Sequence, residues 1–222
     1  HYPSEFMAAL LTSVLDNTDK VIEYSGECAR LGLKVLPPDV NISNGGFTAD
    51  NGKIRFGLNA VKNVGRNLIE RVVEERQEEP YSSLYDFCKR MHGTELNRRA
   101  VECLIKAGAF DSMGVNRHSL VEAVDGIIKS VESDSRRNLE GQLDLFSVMS
   151  GESQTADTDS YEIKPFPEYS HTELLQQEKE VSGLYLSGHP LDAYREQSAR
   201  FASNSIKELT GEDAHKLDGN HV

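Results

Sequence analysis

Apolar residues recur at helical spacing in the stretch "SEFMAALLTSVLD", where Phe6, Met7, Leu10, Leu11, Val14 and Leu15 share one stripe. Ser4 is placed to cap that helix, and Asp16-Asn17 to end it. The next segment, "TDKVIEYSGECARLGL", reads as a second helix, with Thr18 or Asp19 as its cap and Gly32 closing it. Pro37 and Pro38 then forbid helix, so "KVLPPDVN" is expected to be extended. β-rich flanks around Asp50-Asn51-Gly52 predict a hairpin in "GFTADNGKIRFGL". From 58 to 132 the pattern is helical again, in "NLIERVVEERQ", "SSLYDFCKRM", "NRRAVECLIKAG" and "NRHSLVEAVDGIIKSV". Periodicity fades from 133 to 168, where Ser, Asp, Glu and Pro accumulate, and this stretch reads as a linker. Helical spacing resumes in "HTELLQQEKEVSGLYLSGHPLDAYREQSARF", broken around Ser187-Gly188-His189-Pro190.

The expected fold class is mainly α, with one short β-hairpin. A chain of 222 residues, 38% of them apolar, is long enough for one or two domains with a real core. It opens inside a running helix and not at a Met, which reads as a piece of something longer. No run of about 18 apolar residues and no signal peptide is visible, so no membrane partner and a cytoplasmic location are expected. The three cysteines, Cys28, Cys88 and Cys103, form no C-x-x-C, and the seven histidines form no H-x-x-x-H pair. A disulfide framework and a zinc site are therefore not expected; the thiols read as reduced and buried.

The formal net charge of −12 argues against a broad basic groove. Its distribution changes that picture. Residues 53–118 hold 12 basic and 9 acidic side chains, against 3 and 7 in 1–52 and 9 and 20 in 119–222. A compact phosphate contact has a place in the middle segment.

That segment contains "LNAVKNVGRNLIERVV". A tight turn through Lys62, Asn63, Val64 and Gly65 separates a short apolar helix from a longer one, with Arg66 and Asn67 opening the second. Gly65 is free to adopt positive φ, and Asn63 tolerates it better than most residues. Such a turn aims the first N–H groups of the second helix outward, at its positive dipole end, which is an anion site. This is the logic of a helix-hairpin-helix, which holds DNA phosphates without reading sequence. Asn63 stands where that motif's first glycine is usual. An ordinary packing joint between two helices is the alternative. A looser second copy lies at "LIKAGAFDSMGVNRHSLVEAV", where Gly114 precedes a helix starting near Asn116, with Arg117 beside it. A glycine-terminated helix pair is the alternative there.

Inside the linker stands "QLDLF": Gln142, Leu143, Asp144, Leu145 and Phe146. A leucine–phenylalanine pair in polar surroundings suits a short peptide that docks in a partner's groove. Burying a Leu and a Phe gives roughly 1.5–3 kcal/mol each, short of the roughly 8 kcal/mol of micromolar binding. A second, nearby contact would have to raise its effective concentration. Leu139, Leu143 and Phe146 also fit the last turns of a core helix, against which Gly141 counts mildly.

Taken together and in order, "HYPSEFMAALLTSVLDNTDKV", "LGLKVLPPDVN", "IRFGLNAVKNVG", "LNRRAVECLIKAGAFD", "GQLDLF" and "GLYLSGHPL" resemble the C-terminal part of bacterial DNA polymerase III alpha subunits, from residue 1 to about 195. The resemblance implies the end of a fingers domain over 1–45 and a tandem helix-hairpin-helix domain over 46–132. It implies a linker with a clamp-binding motif over 133–168, a helical connector over 169–200, and the start of an OB-fold domain over 201–222. Its implied partners are duplex or primer-template DNA, the sliding clamp (the beta subunit) and other subunits of the polymerase III holoenzyme. Gln142 would occupy a small polar site on the clamp, and the Leu-Phe pair an apolar pocket.

Nucleotidyl transfer by two metal ions needs clustered carboxylates. The family carries them, with Mg²⁺, in a palm domain that this chain lacks. Asp157 and Asp159 flank Thr158 within the polar linker and read as spacer. The fragment itself is therefore expected to have no catalytic residue, cofactor or metal. Two other functions remain open at the level of sequence. One is a hairpin module of a DNA repair or processing protein; the other is a protein-interaction module with no DNA role.

Overall fold

The computed structural model describes residues 2–141 and 161–194, without the side chains of 137–141 and 193. It divides into two units, His1–Ser187 and Gly188–Val222. In the second, Pro190–Tyr194 forms a single stretch of 3-10 helix.

The first unit opens with two helices, α1 (Pro3–Ser13) and α2 (Thr18–Arg30). Pro3 fixes the start of α1, because its fixed φ suits the first helical position. Ser4 therefore lies inside the helix, where its hydroxyl donates to Glu5, and does not cap it. Met7, Ala8 and Leu11 are buried while Phe6 points outward. Asn17 caps α2, its side chain accepting from the Lys20 N–H. Gly32, at φ 74°, ends the helix as expected.

Three short strands follow: β1 (Val35–Leu36), β2 (Thr48–Asp50) and β3 (Lys53–Arg55). β2 and β3 form the expected hairpin, with Asn51 and Gly52 both at positive φ, as a type I′ turn requires. The extended segment holding Pro37 and Pro38 begins as β1, which pairs in parallel with β3. Phe47 and Phe56 meet edge to face beneath the hairpin, at 4.9 Å between ring centres.

Four helices then build the main body: α3 (Arg66–Glu75), α4 (Leu84–Arg90), α5 (Arg98–Lys106) and α6 (Arg117–Gly141). Ser83 caps α4 and Asn97 caps α5, each accepting an N–H three residues on. Leu68, Ile69 and Val72 of α3 share one buried core with Leu104 of α5 and with Leu120, Val124 and Ile127 of α6. Phe87 stands at its centre, edge to face with Tyr81 and Phe110. Burial pushes the Cys88 thiol up to about 12, and all three cysteines are free and buried. At the end of α3, one full turn after Val72, Arg76 falls on the same inward face. Its guanidinium donates to the carbonyls of Val40, Ile42 and Ser43 and to the Asn44 side chain. Burial lowers its pKa.

The stretch 133–168 is less uniform than its composition suggests. α6 continues to Gly141, and residues 161–168 lie against the body. Tyr161 crosses α6 at Gly126, where any Cβ would collide with its ring, and stacks on Tyr85. Polar composition hid this docking because its apolar part is only a few side chains, among them Tyr161 and Ile163, and the rest is hydrogen bonds to residues 116–119. The last helix, α7 (His171–Ser182), starts in a capping box between Ser170 and Glu173. Gln142, Leu143, Asp144, Leu145, Phe146 and the segment 201–222 lie outside the described residues. No described helix is long and apolar enough to cross a membrane.

Candidate nucleic-acid interface

The first hairpin begins with a single 3-10 turn, Leu58–Ala60, anchored by buried Leu58 and Val61. The chain then reverses through 62–65 into α3. Asn63 is the residue that takes the left-handed conformation, at φ 62°. Gly65 does not: it sits at φ −74° and is the N-cap of α3. The left-handed position thus falls where the helix-hairpin-helix pattern usually has its first glycine. Asn pays little strain there, and its amide donates to the Cys103 sulfur at 3.4 Å. At Gly65 a Cβ would lie 3.1 Å from the exposed Glu95 carboxylate, a contact that a small shift of that side chain relieves.

α3 starts with no side-chain cap and no acidic residue in its first turn. Its leading N–H groups and positive dipole end thus have no side-chain cap, and the nearby anion is the exposed Glu95 carboxylate, which lies beside Gly65 and accepts from the Asn67 side chain and not from the backbone cap. Lys62, Asn63, Gly65, Arg66 and Asn67 are all exposed, while Val64 is half-buried against the core. The turn is one exposed surface carrying two cations and an uncapped helix start. Its neighbours are engaged but yielding. Arg66 pairs with Asp16, both well exposed. The Asn67 amide donates to Glu95 at 3.0 Å. Lys62 donates through its backbone N–H to the Val181 carbonyl and through Nζ to the Glu180 carbonyl, each at 2.8 Å.

The second hairpin runs from α5 through Gly108 and Gly114, both at positive φ, into α6. Asn116 caps α6, accepting from the Ser119 N–H at 2.8 Å. Here the structure corrects the expectation for Arg117. Its side chain is 6% exposed and faces inward, against Asp111 at 2.7 Å and Glu178 at 3.0 Å. Burial alone works against its charge, but these two carboxylates hold its pKa above the ordinary value. Glu178 of α7 is fully buried, and its other oxygen accepts the N–H groups of Leu186 and Ser187. Arg117 is a strut between the second hairpin and α7, and its guanidinium is not on the surface for a phosphate.

The start of α6 differs from that of α3 in a second way. The Glu168 carboxylate accepts the N–H of Arg117 at 2.9 Å and of His118 at 3.1 Å. Asn116 is half-buried and donates to the Phe166 carbonyl; Gly114 stays exposed. Sequence reasoning missed Glu168 and Glu178, because each lies 50 or more residues beyond the hairpin it meets. Among the described residues, no group of three or more His, Cys, Asp or Glu side chains is gathered where it could hold a metal.

Comparison with known proteins places this geometry. Residues 32–120, which contain both hairpin turns, match the family model described as a helix-hairpin-helix motif. The chain is 43% identical over 215 residues to the DNA polymerase III subunit alpha of Xylella fastidiosa (strain Temecula1), covering 96% of this chain and 17% of that protein. It is 42% identical over 215 residues to the subunit of the same name from Saccharopolyspora erythraea, covering 95% of this chain and 18% of the relative. With the Escherichia coli K12 subunit it shares 39% over 203 residues, 90% of this chain and 17% of the relative. The chain therefore spans less than a fifth of the length of these relatives.

Proposed function

Since this chain belongs to the DNA polymerase III alpha family, we propose that it holds the duplex behind a replicative polymerase's active site and helps tether that polymerase to its sliding clamp. The observation that carries the DNA half is the start of α3. There an uncapped helix N-terminus, Lys62 and Arg66 share one exposed turn. A phosphate seated there would accept backbone N–H groups, with Lys62 and Arg66 adding charge. Arg66 would exchange Asp16 for the phosphate at small cost, since exposed pairs contribute only about 0–1 kcal/mol. Asn67, Val64 and Asn63 shape the turn; Gly114 and Asn116 belong to the second hairpin, whose helix start Glu168 occupies.

The clamp half rests on the motif Gln142, Leu143, Asp144, Leu145 and Phe146, which directly follows the last residue of α6. Two weak contacts on one chain, one to the DNA and one to the clamp, reinforce each other through effective concentration. Chemistry is assigned to the longer polymerase, whose palm domain would hold Mg²⁺. This segment contributes grip, and no step of nucleotidyl transfer is assigned to its residues.

The test is fluorescence anisotropy of a labelled primer-template across a salt series, with wild type beside Arg66→Glu. Binding that weakens with salt, and about tenfold loss in the variant, is the expected result. Salt-independent binding, or a variant equal to wild type, would overturn the DNA reading.

A further inference from the structure

The two hairpins end differently, and the difference lies in the short strap 166–169. Glu168 sits on the α6 N-terminus with one oxygen on each of two successive N–H groups. That is the position and the bidentate geometry a phosphate takes on such a helix start. The carboxylate is held there by more than its own bonds. Phe166 donates its N–H to the Ser119 hydroxyl at 2.8 Å, and its carbonyl accepts from Asn116 at 2.8 Å. The Pro167 carbonyl meets His118 Nδ1 at 2.6 Å. The His118 ring lies against Phe166 on one side and stacks on Tyr169, at 4.4 Å, on the other. Glu168 also accepts the Tyr169 N–H, which fixes its carboxylate just ahead of the capping box of α7. At α3, by contrast, no side chain caps the helix.

We propose that the strap is a built-in competitor for phosphate: with Glu168 seated, the second hairpin is closed to DNA, and the module grips through the first hairpin alone. The inference rests on the DNA-binding reading given above and adds a regulation to it. Moving the strap away would open a second backbone contact. The grip would then shift from one phosphate site to two, and the ion pairs of Arg117 with Asp111 and Glu178 do not themselves involve Glu168.

The experiment uses the full chain as wild type, Glu168→Gln and Glu168→Ala. Inorganic phosphate is titrated while the backbone amide resonances of Arg117 and His118 are followed by NMR. Duplex binding is measured in parallel across a salt series. Phosphate should move the two amides in both variants at concentrations that leave the wild type unmoved. The slope of log affinity against log salt should steepen by about 0.9 for one added phosphate contact. Low-salt affinity should rise on the order of tenfold. Gln keeps the size of the side chain and one acceptor, so its result stands even where Ala loosens the strap. Wild type that binds DNA, with variants showing the same slope and unmoved amides, overturns the competitor and leaves the DNA reading intact. Phosphate-responsive amides in variants that bind no DNA would support the closed anion site and sink the DNA reading.

Discussion

Removing the Arg117 guanidinium would leave the Glu178 carboxylate buried opposite nothing positive, with only the Leu186 and Ser187 N–H groups to hold it. Breaking one side of a buried pair is far more damaging than the pair's net worth suggests. Arg117→Met should therefore cost about 3–5 kcal/mol, read as a shift in the urea midpoint. Adding Glu178→Gln should recover part of that loss, because the amide needs no cation. A double variant that is no more stable than Arg117→Met alone would deny the strut. The identity of Arg117 was visible in the sequence, but its role was not. A basic residue beside a hairpin glycine carries the same local signature whether it faces DNA or a carboxylate 61 positions away.

At the scale of elements, the hairpin, the helical periods and the glycine-ended α2 were legible, since each depends on residues close together in the chain. The first hairpin's turn was half legible. Asn63 and Gly65 marked it, yet the left-handed conformation belongs to Asn63 alone. Two consequences separate there. Asn63→Gly removes strain and should leave both stability and duplex affinity nearly unchanged. Asn63→Val puts a branched side chain at φ 62°, and should cost about 1–2 kcal/mol. Thermal melts of the two variants check this; equal losses would mean that the Cys103 contact, and not the backbone, fixes the turn. The pieces of 133–168 that the structure describes were illegible for a related reason. The α6 extension and the Tyr161 contact answer to tertiary partners, and linker composition says nothing of those.

Across the whole first unit, α7 is the element that meets both hairpins. Its Glu178 holds Arg117 at the start of α6, and its Val181 and Glu180 carbonyls accept from Lys62 in the first turn. Their spacing thus depends on a helix that follows both of them in sequence, and a phosphate grip of fixed geometry needs α7 as much as it needs the turns. A chain ending at Gly141 lacks α7 and loses the burial of Leu175 and Val181, worth roughly 1.5–3 kcal/mol each. It also leaves Arg117 with Asp111 alone. Its urea midpoint should fall well below that of the full chain. Its amides at Lys62 and at Arg117 should exchange with solvent faster, since the Val181 carbonyl that accepts from the first and the Glu168 carboxylate that accepts from the second are both removed. Hydrogen exchange that changed at Arg117 but not at Lys62 would leave the first hairpin self-supporting without α7. That result would also make the first turn a phosphate site independent of everything beyond α6.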